Sequence, residues 1–449
     1  MSTINFFKEI VKIPRESGNE EKIANYLCEF AQKRNLEYFK DSYNNVLIKK
    51  KTKNSKPIIL QAHTDMVCEK EKDYPFDFKN DSIELIIEDG FIKANKTTLG
   101  ADNGVGIAQI LNILDSDIKA NIEAVFTVSE ETSMIGAINF DTSLLKGKHL
   151  LSLDGFEEKT IINESACFYD LIIKSNYDYN SKFNYYYQLS INGLLGGHSG
   201  FDINKNRGNS IILLANLIKK FKDFNLINFY GGTKFNVIPN EATCEFYTNL
   251  SFEEIKKICT KFISEHKNIF PNLNYKIEVI NQTKNSPDKK DSQSFIDFLI
   301  NFPNEVINSY NNFPTTSSNL AVINLKKQEI KVGFRSSREK EEKAFLNNLK
   351  KLLNENKFEL IIYGHQPGFE TKNSKLIDGL LKTSPYENTV VTPVHITVEL
   401  GFFKEKIKDL EVAIISPNIK GAHSTNECVE IASIERTDKW LKDFISNYN

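Results

Sequence analysis

At 449 residues, with 40% hydrophobic and 26% charged side chains, the chain has the make-up of a folded protein of two or three domains, not of a disordered one. A net charge of -2 offers no basic surface for nucleic acid, and no apolar run is long enough to span a bilayer. Six scattered cysteines without a Cys-x-x-Cys pair, and a start at Met1 to Asn5 without the succession of a signal peptide, predict free thiols in a cytoplasmic protein.

Apolar positions at helical spacing predict helices over 5–11 and 20–30, separated by Pro14 and by Ser17-Gly18-Asn19 as cap residues. Short apolar runs follow at 46–48 and, after Pro57, at 58–60. The second reads as a buried strand that ends in His63 and Asp65. Residues 84–92 read as a hairpin turning at Asp89-Gly90. The glycine-rich stretch 99–106 leads into an apolar helix over 107–114. It lacks the Lys-Ser/Thr of a phosphate loop and the spacing of a dinucleotide fingerprint. Asp102, at the start of that helix, is placed to face a cation or to cap the helix.

Three more apolar runs end in polar groups: 122–128 in Glu130 and Glu131, 149–153 in Asp154, and 412–415, a little further on, in His423. Chance would scatter such groups over both edges of a sheet. With helical segments between the runs, the pattern predicts an α/β domain with a mainly parallel sheet that carries its site on the carboxyl edge. Between about 168 and 366 the chain changes character, with tyrosines and asparagines, a glycine-rich turn around 193–200, a helix over 209–221 and strands alternating with helices. An inserted α+β domain of two similar halves is expected there, with 281–294 as the polar loop between them. The domains are therefore 1–167 with 367–449, and 168–366.

The strand-end groups His63, Asp65, Asp102, Glu130, Glu131, Asp154 and His423 are imidazoles and carboxylates, a donor set that suits zinc without any cysteine. With one carboxylate bridging, two ions would lie ~3.5–4 Å apart. His149, His266 and His365 read as ordinary surface or strand histidines.

The segments His63-Thr64-Asp65-Met66-Val67, Leu99 to Gly106, Ser129-Glu130-Glu131, Leu153-Asp154, Gly196-Gly197-His198-Ser199-Gly200 and Gly421-Ala422-His423-Ser424 occur in that order. Together with Ile13 to Glu21 and Gly401-Phe402-Phe403, they resemble the aminoacyl-histidine dipeptidase (peptidase D, cytosol non-specific dipeptidase) group of co-catalytic zinc metallopeptidases over nearly the whole chain. The resemblance implies a zinc-peptidase catalytic domain with the inserted domain as a lid, and a homodimer as one form of the protein. It implies two divalent ions per chain, zinc before manganese or cobalt. His63 and Asp154 would hold one ion and Glu131 and His423 the other, with Asp102 bridging through a cis peptide bond to Asn103. Asp65 would support His63, and Glu130 would be the general base acting on the bridging water. In the lid, His198 would meet the oxyanion as the domains close, and Arg335 would clamp the substrate carboxylate. Asn236, Asn319, His395 and Glu399 would line the substrate pocket. The implied reaction is hydrolysis of dipeptides, Xaa-His among them, with deacylation of N-acyl amino acids as the alternative. Departures from the family pattern follow Asp154 (Gly155 to Glu158), precede Glu399 (Ile396 to Val398) and follow His423 (Ser424 to Glu427), which points to a pocket of its own shape.

Overall fold

The run after Pro57 forms the strand Ile58–His63, buried at every position, in the middle of a nine-stranded sheet. The computed structural model describes residues 1–52, 56–356 and 358–448. The chain divides into two units, Met1–Ser165 with Pro367–Val394 and Val398–Asn449, and Ala166–Gln366 with His395–Thr397. Relative to the boundaries expected from sequence, Ala166, Cys167 and the three residues 395–397 pass to the second unit.

In the first unit, Ile58–His63 lies parallel to Ile122–Thr127 on one side and to His149–Ser152 on the other, and Glu411–Ile414 runs parallel beyond that. These four apolar runs therefore end at one edge, and the residues that follow them share it. Antiparallel strands close the sheet outward, Val46–Lys50 and Glu37–Lys40 at one side and Phe369–Glu370 at the other. Residues buried on both faces explain the lack of polar alternation. The helices Thr3–Ile10, Ala101–Asp115 and Ile431–Ser446 contribute Phe6, Phe7, Ile107, Leu111, Trp440 and Phe444 to the same core. The second helix, Glu21–Lys33, is not capped by Ser17 or Asn19. Its N-cap is Glu20, and both the Ser17 and the Glu20 side chains are drawn into the site instead.

The second unit is built around one nine-stranded antiparallel sheet, with two halves of the same β-α-β-β-α-β plan and two small two-stranded sheets beside it. One half runs Tyr186–Asn192, Ser210–Lys219, Asn225–Gly231, Ala242–Tyr247, Phe252–His266 and Asn274–Ile280. The other starts at Cys167–Lys174, is interrupted by the whole first half, and resumes with Lys289–Asn301, Phe313–Asn324, Glu329–Ser336, Glu339–Glu355 and Glu359–Gln366. The halves meet where Tyr230 and Gly231 pair with Asn324 and Ile323. The two expected halves are therefore nested, not arranged in tandem. The stretch 281–294 is not a plain loop: it holds the strand Lys284–Ser286 and, after the N-cap Asp288, the first turn of a helix. Among the described residues no helix is long and apolar enough to cross a membrane.

Candidate metal centre and its supports

The carboxyl edge of the first unit's sheet gathers His63, Asp102, Glu130, Glu131, Asp154 and His423. Their donor atoms form three overlapping groups: His63 with Asp102 and Asp154, His63 with Glu130 and Glu131, and Asp102 with Glu131 and His423. His63, Asp102 and Glu131 each belong to two of the groups, and of these Asp102 faces both histidines. Its Oδ1 lies 3.1 Å from Nε2 of His63 and its Oδ2 lies 3.1 Å from Nε2 of His423. The His63 Nε2 is also 3.4 Å from Oδ1 of Asp154. A ring nitrogen this close to two carboxylates is placed to share a cation with them. Glu131 Oε1 lies 2.9 Å from the His423 Nε2, within ion-pair distance, so these two donors converge on one point.

His63 is buried, and its Nδ1 faces the Asp65 main-chain carbonyl at 3.2 Å. Donating there fixes the tautomer and leaves Nε2 as the ligand nitrogen. The Asp65 carboxylate does something the sequence did not reveal. It accepts the main-chain N–H groups of Glu130, at 3.0 Å, and Glu131, at 3.2 Å, and the Ser17 hydroxyl at 2.7 Å. It thereby places both glutamates. Ser129, just before them, has φ of +56°, and His423 has φ of +64°. Such angles are costly for non-glycine residues and persist where surroundings impose them. At Ser129 the imposing group is Glu20, which accepts its N–H at 3.0 Å and its hydroxyl at 2.9 Å.

Burial shapes the electrostatics. It raises the pKa of Glu130, with the Asp154 charge adding to the effect, and burial likewise raises Asp154 and Glu131. Burial would also raise Asp102, but hydrogen bonds from His423 and His63 outweigh it and hold Asp102 low. Hydrogen bonds to Asp102 and Glu131 lift His423 to about 10. Burial would lower His63, but the facing carboxylates raise it well above its ordinary value. In each case a carboxylate is short of positive charge, or a histidine is enlisted to supply it.

Two buried residues hold the helix that begins at Ala101. Glu427 accepts four consecutive main-chain N–H groups, from Leu99 at 2.7 Å, Gly100 at 2.9 Å, Ala101 at 2.8 Å and Asp102 at 3.2 Å. Arg15, 1% exposed, donates to the carbonyls of Thr64, Asp65 and Gly100. Gly104 is glycine because of Arg15, since a Cβ there would stand 2.7 Å from its guanidinium. Gly100 and Gly104 thus make room for a buried arginine, not for a phosphate, while a Cβ at Gly106 would meet the Asn103 side chain. The Asp102–Asn103 peptide bond is cis. In the sequence, Arg15 and Glu427 stand only as parts of longer motifs. What marks them is the rarity of buried single charges, which no pattern of spacing displays.

The departures after Asp154 and His423 also have partners. Glu158 accepts Nε and Nη2 of Arg436, each at 2.8 Å, and the Tyr386 hydroxyl at 2.8 Å, while Asn418 bridges Glu158 and Glu430. Glu399 is fully buried and accepts from Thr127, at 2.5 Å, and from Gln61, two residues before His63.

In the second unit, Arg335 is 4% exposed and has no carboxylate within ion-pair distance among the described residues. It reaches Thr397 Oγ1 at 3.3 Å and Ser199 Oγ at 3.5 Å and lies over the Phe168 ring. Burial pulls its pKa down to about 10, which leaves it charged at neutral pH. His395 joins Ser317 at 2.7 Å, and burial and the Arg335 charge push its pKa down to about 3. Asn319 spends its amide N–H groups on the carbonyls of Val237 and Phe235, at 2.8 and 3.3 Å, bracing the segment that contains Asn236.

Residues 59–447 match the sequence profile of peptidase family M20/M25/M40. The chain is 28% identical to the cytosol non-specific dipeptidase of Escherichia coli strain K12, over 96% of this chain and 94% of that protein. Aminoacylhistidine dipeptidase from Vibrio alginolyticus has the same fold with a TM-score of 0.85 and 27% identity, over 100% of this chain and 96% of that one. Aminopeptidase PepT from Bacillus cereus, at 16% identity and a TM-score of 0.56, shares the fold over 99% of this chain and 97% of that one.

The four-amide seat of Glu427 carries a stability prediction. Glu427→Ala leaves buried N–H groups without an acceptor, at ~1–3 kcal/mol each, so the metal-free protein should lose roughly 3 kcal/mol or more in chemical denaturation. An unchanged midpoint would mean that the amides find other partners.

Proposed function

The chain belongs to peptidase family M20/M25/M40, and from that premise we propose that it is a cytoplasmic, metal-dependent dipeptidase acting on unblocked dipeptides. The observation that carries this reading is the Asp102 carboxylate, which presents one oxygen to each of two histidines at 3.1 Å, with Glu130 and Glu131 beside them. The names of the Escherichia coli and Vibrio alginolyticus relatives favour dipeptides over N-acyl amino acids as substrates.

The donor set fits two divalent cations. It consists of nitrogen and carboxylate oxygen alone, which suits zinc, with manganese and cobalt as alternatives. We assign His63 and Asp154 to one ion, Glu131 and His423 to the other, and Asp102 to both. When bound, the ions would polarise the scissile carbonyl and lower the pKa of water at the centre. Glu130, held by its main-chain bond to Asp65, takes the proton of the attacking water and returns it to the leaving amine. His198 donates to the oxyanion. Arg335, charged, buried and without a carboxylate partner among the described residues, takes the terminal carboxylate of the dipeptide in its planar fork. His395, kept neutral beside Arg335, leaves that charge undiminished for the substrate. Asn319 shapes the Asn236 segment at the substrate, and Glu399 supports the strand of His63 from beneath through Gln61.

A panel of dipeptides, including Xaa-His, and of N-acetyl amino acids, assayed with zinc, manganese and cobalt, tests the reading. Turnover confined to N-acetyl substrates would replace the dipeptidase with an acylase.

Three outcomes follow from the assignments. Elemental analysis should find two divalent ions per chain at saturation, and a single ion would exclude the shared role of Asp102. Glu130→Gln keeps the size and hydrogen bonding of the side chain, so turnover should drop at least ~10²-fold with metal content unchanged. Near-normal turnover would move the base elsewhere. Arg335→Ala should mainly raise KM for free dipeptides and spare amidated ones. An equal loss on both would dismiss the carboxylate clamp.

A further inference from the structure

His198 sits in a loop whose main chain is fixed from several sides. Gly197 and His198 pair with Ile238 and Val237, and the Ser199 N–H reaches the Asn236 carbonyl at 2.8 Å. The turn that follows is closed by Asp202. Its N–H donates to the His198 carbonyl at 2.8 Å, and its carboxylate Oδ2 accepts the His198 N–H at 2.9 Å. Its other oxygen receives Arg207 at 2.9 Å and Lys205 at 3.1 Å, which keeps the carboxylate ionised and oriented. Gly197 allows this approach. It has φ of +144°, and a Cβ there would stand 2.6 Å from Asp202 Oδ2.

The consequence appears at the imidazole. Within the turn, the N–H groups of Gly200, at 3.1 Å, and Phe201, at 3.4 Å, point at Nδ1 of His198. An Nδ1 that accepts two amide hydrogens cannot carry its own proton, because that proton would face theirs. The ring proton is therefore on Nε2, and Nε2 is a donor.

We infer that Asp202 is a positioning residue that closes the 197–202 turn so that main-chain amides occupy Nδ1 of His198 and fix the Nε2–H tautomer an oxyanion donor requires. The inference deepens the role assigned to His198 above and rests on it for its catalytic meaning. The tautomer can be measured without reference to activity.

The test uses metal-loaded enzyme labelled with nitrogen-15 in its histidine rings, with the His198 signals assigned by their loss in His198→Gln. Wild type should show a pyridine-type Nδ1 and a protonated Nε2 at His198. Asp202→Ala should blur both nitrogens toward a mixture of tautomers and lower kcat by roughly 10- to 100-fold, with KM and metal content unchanged, as expected of a displaced catalytic group. Asp202→Asn keeps an acceptor for the His198 N–H and should restore the wild-type signature and most of the turnover. A proton on Nδ1 in wild type, or an Asp202→Ala enzyme that keeps a single Nε2–H signature, would overturn the inference. Should Asp202→Ala not fold, Asp202→Leu, close to Asn in size but without an acceptor for the His198 N–H, takes its place, and a single Nε2–H signature there would overturn the inference. Full turnover in His198→Ala would instead defeat the donor role and leave the tautomer result standing, so the two failures are distinct.

Discussion

Asp102 stands between His63 and His423 with one oxygen toward each, and the first unit is arranged to keep it there. A carboxylate at a helix start would ordinarily be drawn to its own helix's N–H groups. Here that role is taken by Glu427, whose carboxylate accepts the N–H groups of residues 99–102. Asp102 is thereby released to face outward. One acid serves the helix so that another can serve the site, and Glu427 stands only four residues after His423 in sequence. The same short segment thus supplies a proposed ligand and the anchor of the residue proposed to bridge.

Crowding of negative charge sets the second constraint. Asp102, Glu130, Glu131 and Asp154 share a buried edge with two histidines, and burial raises the pKa of three of those four acids. A protein gains nothing in stability from so many desolvated carboxylates unless positive charge meets them. Arg15 is close but points at carbonyls, so its fork organises main chain and leaves the carboxylate edge open. Cations are the remaining partners of suitable charge and size. The site is therefore best understood as a set of acids held together by main-chain and second-layer bonds, ready to be neutralised on binding.

Much of this was legible in the sequence because apolar runs that end in His or acidic residues are local patterns. Ile58–His63, Ile122–Thr127, His149–Ser152 and Glu411–Ile414 were visible as buried strands, and parallel pairing puts their ends on one edge whatever the details. Less was visible where function depends on contacts between distant segments. Ser17 and Glu20 read as helix-start residues from their neighbours, but they are recruited by Asp65 and Ser129, far along the chain. Arg15, Glu427 and the Glu158–Arg436 pair follow the same logic. The two halves of the second unit could be sensed from alternating strands and helices. Their nesting could not, because the strand Cys167–Lys174 pairs with Glu329–Ser336 and nothing in its own sequence names that partner.

The second unit adds a different kind of preparation. A buried arginine that meets only hydroxyls and an aromatic face is unstable by itself relative to one paired with an acid. Arg335 holds this position because the sheet and the 395–397 segment surround it, with Thr397 Oγ1 at 3.3 Å taking one arm of the fork. Thr397 also donates to the Ala166 carbonyl at 2.8 Å, so its hydroxyl is fixed with an oxygen toward the guanidinium. A substrate carboxylate bound as proposed would compete with two long neutral contacts, to Thr397 and Ser199, and among the described residues with no salt bridge. Thr397, within the stretch just before Glu399 where this chain departs from the family pattern, is in contact with Arg335. Differences in substrate preference within the family are accordingly expected to concentrate around this arginine more than around the metal ligands.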